Sequence, residues 1–115
     1  MGGHIPVVSA RWVYDPRQPG EDIQLDTAAW FAWLEAPTTA HFSYPLFDPQ
    51  QGYIVGFMTV RKERRQRGGS YWAVFRRQGT RVHKIYLGRS AKVTHERLEM
   101  IARQLRSPAP TKGGG

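Results

Sequence analysis

The chain has 115 residues, with 17 Lys and Arg against nine Asp and Glu, and it contains no cysteine. This length supports a single domain with a modest core, and the lack of thiols excludes disulfides and thiolate metal sites. No apolar run approaches the roughly 18 residues of a membrane helix, and the N-terminus lacks the layout of a signal peptide, so we expect a soluble, cytoplasmic protein.

Residues 1–25 are predicted to form an N-terminal arm, because they combine three prolines with only a short apolar run over residues 7–14, for which a single strand is the alternative. Asp26 then precedes good helix formers that Pro37 stops, which predicts a short helix over residues 26–35. Three large apolar side chains of this helix fall at i, i+3 and i+4: Trp30, Trp33 and Leu34. A stripe of this kind is typical of core packing.

From residue 41 the apolar pattern changes to a period of two, which is typical of β-strands. β-Branched and aromatic residues dominate these segments, and turn clusters rich in Gly and Gln separate them. Four strands are predicted, over residues 41–46, 53–62, 70–77 and 81–87. Their short connections favour an antiparallel meander of three or four strands.

A second helix is predicted after the last strand. Thr94 is its N-cap, Glu96 lies in the first turn and basic residues lie in the last, which is the order that a helix dipole favours. The helix is expected to end at residue 106. The fold class is therefore α+β, with this helix packed on one face of the meander and the short N-terminal helix nearby. Residues 26–106 form one domain, and residues 107–115 form a flexible tail.

The second helix also assigns the two faces of the sheet. It has an apolar stripe at i, i+3, i+4 and i+7: Leu98, Ile101, Ala102 and Leu105. Because alternate residues of a strand share a face, one apolar set is expected to meet this stripe: Met58, Val60, Trp72, Val74, Ile85 and Leu87. The opposite face then carries Thr59, Arg61, Tyr71, Ala73, Phe75, Arg77, Lys84 and Tyr86.

Charge is divided along the chain. Residues 57–106 carry fourteen Lys and Arg against three acids, whereas residues 1–56 carry two against six. A segment with a net charge of +11 favours a polyanionic partner, because each phosphate that it neutralises releases condensed counterions. Nucleic acid is therefore the first candidate partner. A merely solvated basic surface, a ribosome-type patch and a membrane-surface patch are the alternatives.

Individual roles follow from the chemistry of each side chain. Three cations of the aromatic face are expected to bond base edges or phosphates: Arg61, Arg77 and Lys84. Others, including those of the basic connection over residues 63–69, are expected to contact phosphates: Arg64, Arg65, Arg67, Arg76 and Arg81. Three rings are expected to pack on sugars or thymine methyls: Tyr71, Phe75 and Tyr86. Lys62 completes the predicted DNA-binding set.

A short pattern within residues 57–106 is shared with a known family. It comprises a strand with an aromatic and Arg motif, a turn that bears Gly, a strand that closes on Tyr-Leu-Gly, and then a helix: Tyr71, Trp72, Phe75, Arg76, then Tyr86, Leu87 and Gly88. The stretch resembles the arm-type DNA-binding domain of tyrosine recombinases, which is itself similar to the plant AP2 domain. It is also similar to segments that precede bacterial regulators with a LuxR-type helix-turn-helix.

The recombinase resemblance implies that a three-stranded sheet enters the major groove and that a helix backs the sheet. It implies that five residues read the DNA: Arg61, Tyr71, Phe75, Arg77 and Lys84. Two departures limit it, because the recombinase catalytic domain is absent and residues 1–52 have no counterpart.

Two other partners remain open. Helix, three strands, helix is also the order of a double-stranded RNA-binding domain, although the second helix starts Thr-His-Glu-Arg where that family is rich in Lys. The second alternative is a protein-interaction module. In it, Trp30, Trp33 and the acidic N-terminal segment form a docking surface, and the basic half meets an acidic partner.

No pattern in the sequence indicates catalysis. The four histidines form no HExxH motif, and neither a GxGxxG motif nor a P-loop occurs. We expect no enzyme activity, no cofactor and no metal. The sequence therefore predicts a non-catalytic protein that binds double-stranded DNA, in transcription regulation or as a recombination accessory. It would be associated with the nucleoid, have no membrane partner, and could bind a protein through its N-terminal segment.

Overall fold

The computed structural model describes residues 5–18, 20, 22–64 and 69–106. Seven strands lie in these residues: β1 (Val7–Ser9), β2 (Trp12–Tyr14), β3 (Ile23–Gln24), β4 (His41–Asp48), β5 (Tyr53–Arg64), β6 (Ser70–Gln78) and β7 (Arg81–Gly88). They form one sheet in the order β3-β2-β1-β4-β5-β6-β7. The helices are α1 (Ala28–Glu35) and α2 (His95–Arg106), with a single 3₁₀ turn at Ser90–Lys92.

The expected meander of three or four antiparallel strands is wrong. The sheet has seven strands and is mixed, because β1 pairs in parallel with β4 at Val7 and Ser43. The residues expected to form an arm contribute β1, β2 and β3. Two residues connect β1 to β2, and Ala10 takes a positive φ of 57° there. Two-residue hairpin turns usually contain Gly or Asn, and Ala10 and Arg11 are neither, so no sequence pattern indicated this hairpin.

Pro45 limits the parallel pairing. The backbone N–H of Ser43 donates to the carbonyl of Pro6 at 2.9 Å. In a parallel ladder the next donor from β4 would be the residue two positions later, and that residue is Pro45, which has no N–H. The contact between β1 and β4 therefore consists of one registered pair. The other strands were placed closely, since β4 to β7 begin at the predicted residues and extend one or two residues further.

Four aromatic rings form the centre of the core. Trp30 stacks on Trp33 at 5.6 Å between centroids, and Phe42 lies 5.5 to 5.7 Å from both of these rings and from Trp72. Each buried indole N–H has an acceptor from another segment. Trp30 donates to the carbonyl of Val93 at 2.7 Å, Trp33 to the Asp15 carboxylate at 3.0 Å, and Trp72 to the hydroxyl of Ser90 at 2.9 Å. The rings thus pack the core and also join distant parts of the chain.

The cap of α1 differs from the expected one, whereas Thr94 caps α2 as expected. Thr27 is the N-cap of α1 and accepts from the N–H of Trp30, so the helix starts after the predicted residue 26. Asp26 instead accepts from the backbone N–H of His95 at 2.9 Å. It therefore satisfies one of the free donors at the start of α2, where Thr94 also accepts from the N–H of Arg97 at 3.2 Å.

Both helices lie on the same face of the sheet. Their buried residues join the alternate strand residues in one cluster, which includes Met58, Val60, Trp72, Val74 and Leu87. The assignment of faces is therefore confirmed, although Ile85 is only partly buried. Helix α2 packs mainly over β4 rather than over β5, β6 and β7. Among the described residues, no helix covers the opposite face of the sheet.

Leu98→Ala should lower the free energy of unfolding by about 2–5 kcal/mol, because it removes buried methyl groups and leaves a cavity. Leu98 is completely buried, whereas Met100 on the same helix is half exposed. Met100→Ala is therefore the control and should change stability little. Urea denaturation measures both variants. A loss below about 1 kcal/mol for Leu98→Ala would mean that α2 does not depend on this stripe.

The buried carboxylate of Asp15 attaches the N-terminal hairpin to α1. It forms an ion pair with Arg17 at 2.9 Å and accepts from the Trp33 indole, while Arg17 also donates to the carbonyl of Thr38. Burial alone would raise the pKa of Asp15. The hydrogen bonds from Arg17 and Trp33 outweigh burial and place the pKa below its ordinary value of 3.8.

A carboxylate with a depressed pKa in the folded state adds stability above its unfolded pKa, and that stability is lost as the pH falls through the folded pKa. Asp15→Asn should therefore lower the melting temperature at neutral pH, by an amount equivalent to about 1–3 kcal/mol. Melting curves of both proteins should converge below about pH 4. A difference that stays constant down to pH 2 would contradict this role of the Asp15 charge.

Candidate nucleic-acid interface

The side of β5, β6 and β7 that faces away from the helices forms a continuous surface, which we call the open face. The strand registers place eleven residues on it: Phe57, Thr59, Arg61, Glu63, Tyr71, Ala73, Phe75, Arg77, Val82, Lys84 and Tyr86. Phe57, Val82 and Tyr86 expose 49%, 55% and 52% of their surface. Exposed apolar side chains clustered in this way mark interaction sites more often than isolated ones do.

Cations and rings of the open face contact one another. The Lys84 Nζ lies 4.6 Å from the centroid of Tyr86 and 5.3 Å from that of Phe75, while the Arg61 guanidinium lies 5.7 Å from Phe75 on its other side. These distances fall in the range of cation–π attraction. The register explains the arrangement, because Phe75 pairs with Lys84 on one side and with Thr59 on the other. The rings therefore hold two of the predicted DNA-binding cations in place.

An acid that the prediction did not include lies within this surface. Glu63 forms an ion pair with Lys84 at 3.1 Å. The two side chains belong to β5 and β7 and meet across β6, where the small side chain of Ala73 is completely buried. Hydrogen bonds to Tyr86 and Glu63 raise the pKa of Lys84, so it remains charged at neutral pH. Period-two alternation already placed Glu63 with Arg61, so the sequence contained the signal for this residue.

Arg89 is a second residue that the prediction missed. Its guanidinium lies 5.1 Å from the centroid of Tyr71 and donates to the Tyr71 hydroxyl at 3.4 Å. The residue follows the last strand directly, so strand periodicity could not assign it to a face. Its contact with Tyr71 extends the cationic surface beyond the end of β7.

Two predicted DNA-binding residues lie on the helix side of the sheet. Lys62 donates to the carbonyl of Ala36 at 3.1 Å and lies 5.4 Å from the ring of Trp72, and burial lowers its pKa. Arg76 donates to the carbonyl of Phe57 at 3.2 Å. Its guanidinium covers Gly56, where a Cβ would lie only 2.5 Å from Nη1. In these positions both cations support the fold, Lys62 at the end of α1 and Arg76 beside Gly56 of β5.

Two more predicted cations belong to the helix side by register, because Arg64 pairs with Ser70 and Arg81 with Gln78. Arg64 and Arg81 are exposed at the end of β5 and the start of β7. Arg77 is exposed on the open face itself and makes no ion pair with any described residue. Arg65 and Arg67 lie outside the described residues. The structure thus brings Arg61, Arg77 and Lys84 together with the three predicted rings.

The described residues contain no group of three or more His, Asp or Glu side chains that could hold a metal ion. Neither helix in this part of the chain is both long and apolar enough to cross a membrane. Comparison with protein-family models finds no match, and neither the curated proteins nor the solved structures contain a match to this chain.

Proposed function

We propose that this chain is a non-catalytic DNA-binding module that places the open face of β5, β6 and β7 in the major groove of duplex DNA. The observation that carries the proposal is a sheet face, uncovered by any described helix, on which cations and aromatic rings contact one another. Three strands span about 10 Å between the outer two. The major groove is about 12 Å wide, so this part of the sheet matches it.

The distribution of charge supports the same partner. The open face carries three cations and one acid, and Arg89, which contacts Tyr71, adds a cation at one end of its strands. A cation at the end of these strands can reach a phosphate that borders the groove. In this arrangement Arg77 and Arg61 are the candidates for bonds to guanine. A role in transcription or recombination, at the nucleoid, belongs to the same proposal.

The alternative of a protein partner receives less support. It used Trp30 and Trp33 as a docking surface, but both rings are buried in the core with their N–H groups bonded internally. The basic surface remains compatible with other polyanions. Duplex RNA of the same sequence is therefore the competitor in the experiments below.

The test compares Arg77→Ala with Arg103→Ala, which removes the same charge from the exposed surface of α2 on the opposite side of the sheet. For the parent protein, log K should fall with log salt with a slope of about −4 to −5, as expected for five phosphate contacts. Arg77→Ala should weaken binding to a selected duplex by about 1–3 kcal/mol if it bonds a base. Arg103→Ala should bind like the parent.

Arg77 lies outside the core, so Arg77→Ala should melt at the same temperature as the parent. Melting curves of both variants then show that weaker DNA binding is not caused by unfolding. A salt slope near −1 would remove electrostatic binding to phosphates from the proposal. Equal losses for Arg77→Ala and Arg103→Ala would show that only overall charge matters and that the open face is not the binding surface. Stronger binding to duplex RNA than to duplex DNA would mean that RNA, not DNA, is the partner.

Glu63→Gln should strengthen DNA binding, because it removes the acid of the open face and releases Lys84 for a phosphate. One additional phosphate contact would make the salt slope more negative by about 0.9. The free energy of unfolding should change by less than about 1 kcal/mol, since the pair is partly solvent-exposed. Fluorescence anisotropy at several salt concentrations measures the slope. Unchanged or weaker binding would mean that Lys84 does not contact DNA.

A further inference from the structure

One row of paired residues crosses the whole sheet on the side of the open face. The registers connect Tyr14, Val7, Ser43, Thr59, Phe75 and Lys84 in that order, from β2 to β7. Directly paired residues lie on the same face of a sheet. Tyr14, which is 61% exposed, and Trp12, which is 39% exposed, therefore lie on the same side of the sheet as the open face but outside it.

A straight duplex cannot follow this entire row. Adjacent strands rotate by about 20–25°, so the strand direction turns by roughly 100° between β2 and β7. The three strands that fit a major groove already span about 10 Å. From β6 to β2 the row continues for about 19 Å. A flexible single strand can follow such a surface, and its bases can stack on exposed rings.

A hollow beside Tyr14 fits a base better than it fits a phosphate. Its volume is about 420 Å³, within the range of small-molecule sites. Val7, Val13 and Pro16 contribute apolar walls, and Gln18 and Asp22 contribute polar groups. The described lining contains no cation and two carboxylates, of which Asp15 is paired with Arg17 and Asp22 is not in an ion pair with any described residue, which disfavours phosphate. Acceptors and an amide next to an aromatic ring suit the amino groups at the edge of a base.

We infer that the N-terminal hairpin of β1 and β2 binds an unpaired base, so that the preferred ligand is duplex DNA continued by a single-stranded tail. This inference rests on the proposed function and specifies its substrate. Tyr14 stacks on the base, and the hollow receives its edge. A tail must cover about 19 Å from β6, which takes about six nucleotides if its bases stay stacked at the helical rise of 3.4 Å and fewer if the strand is extended.

The experiment compares a blunt duplex with the same duplex carrying tails of one or ten adenine nucleotides. The long tail should increase affinity by about tenfold, the effect of stacking one base, and the short tail should not. A ten-residue abasic tail carries the same phosphates without bases and should give no gain. Trp12 is the one exposed tryptophan of four, since Trp30, Trp33 and Trp72 are buried. Only the long base-bearing tail should therefore quench its emission.

The Tyr14→Ala variant should not show the increase in affinity that the long tail gives, and it should keep the parent's affinity for the blunt duplex. Tyr53→Ala is the matched control, because Tyr53 is 58% exposed on the other face of the sheet, and it should keep both affinities. Equal binding of tailed and blunt duplexes, or a gain from the abasic tail, would overturn the inference and leave the proposed duplex binding intact. Failure to bind any of these duplexes would overturn the proposed function as well.

Discussion

The packing of four aromatic rings on one side of the sheet determines the rest of the structure. Trp30 and Trp33 bring α1 to this side, Phe42 and Trp72 contribute from the strands, and the cluster continues into α2. The indole N–H groups of the three tryptophans donate to Asp15, which follows the hairpin of β1 and β2, and to two residues of the segment before α2, Ser90 and Val93. Because both helices bury their apolar stripes in this single layer, none of the described helices is left for the other face. The open face follows from that one-sided core.

Regular periodicity could be read from the sequence, and contacts between distant segments could not. Strands β4 to β7 and helix α2 show apolar periods of two and 3.6 over eight or more residues. Strands β1 to β3 contain only two or three residues each, which is too short to show a period. Asp26 looked like the cap of its own helix, yet it has a positive φ of 65° and accepts from the backbone N–H of His95 at the start of α2. Only the tertiary structure contains that information.

The candidate site was partly predictable for the same reason. Alternation along β5 and β6 placed Arg61, Phe75 and Arg77 on the open face, and it also placed Lys62 and Arg76 on the helix side. Attention to charge alone had grouped all of these residues together. The ion pair of Glu63 with Lys84 depends on two strands meeting across the small Ala73, which no local pattern encodes. The site thus combines a periodic pattern with pairing between strands.

The single registered pair between β1 and β4 makes the N-terminal hairpin a unit of lower local stability. Pro45 prevents a longer ladder, so the hairpin depends on Val8 in the core and on the contact of Asp15 with Trp33. Segments with few cross-strand bonds open at a smaller free-energy cost than the whole domain. The amide protons of β1 and β2 should therefore exchange with solvent by local opening, while those of β5 and β6 exchange only on global unfolding.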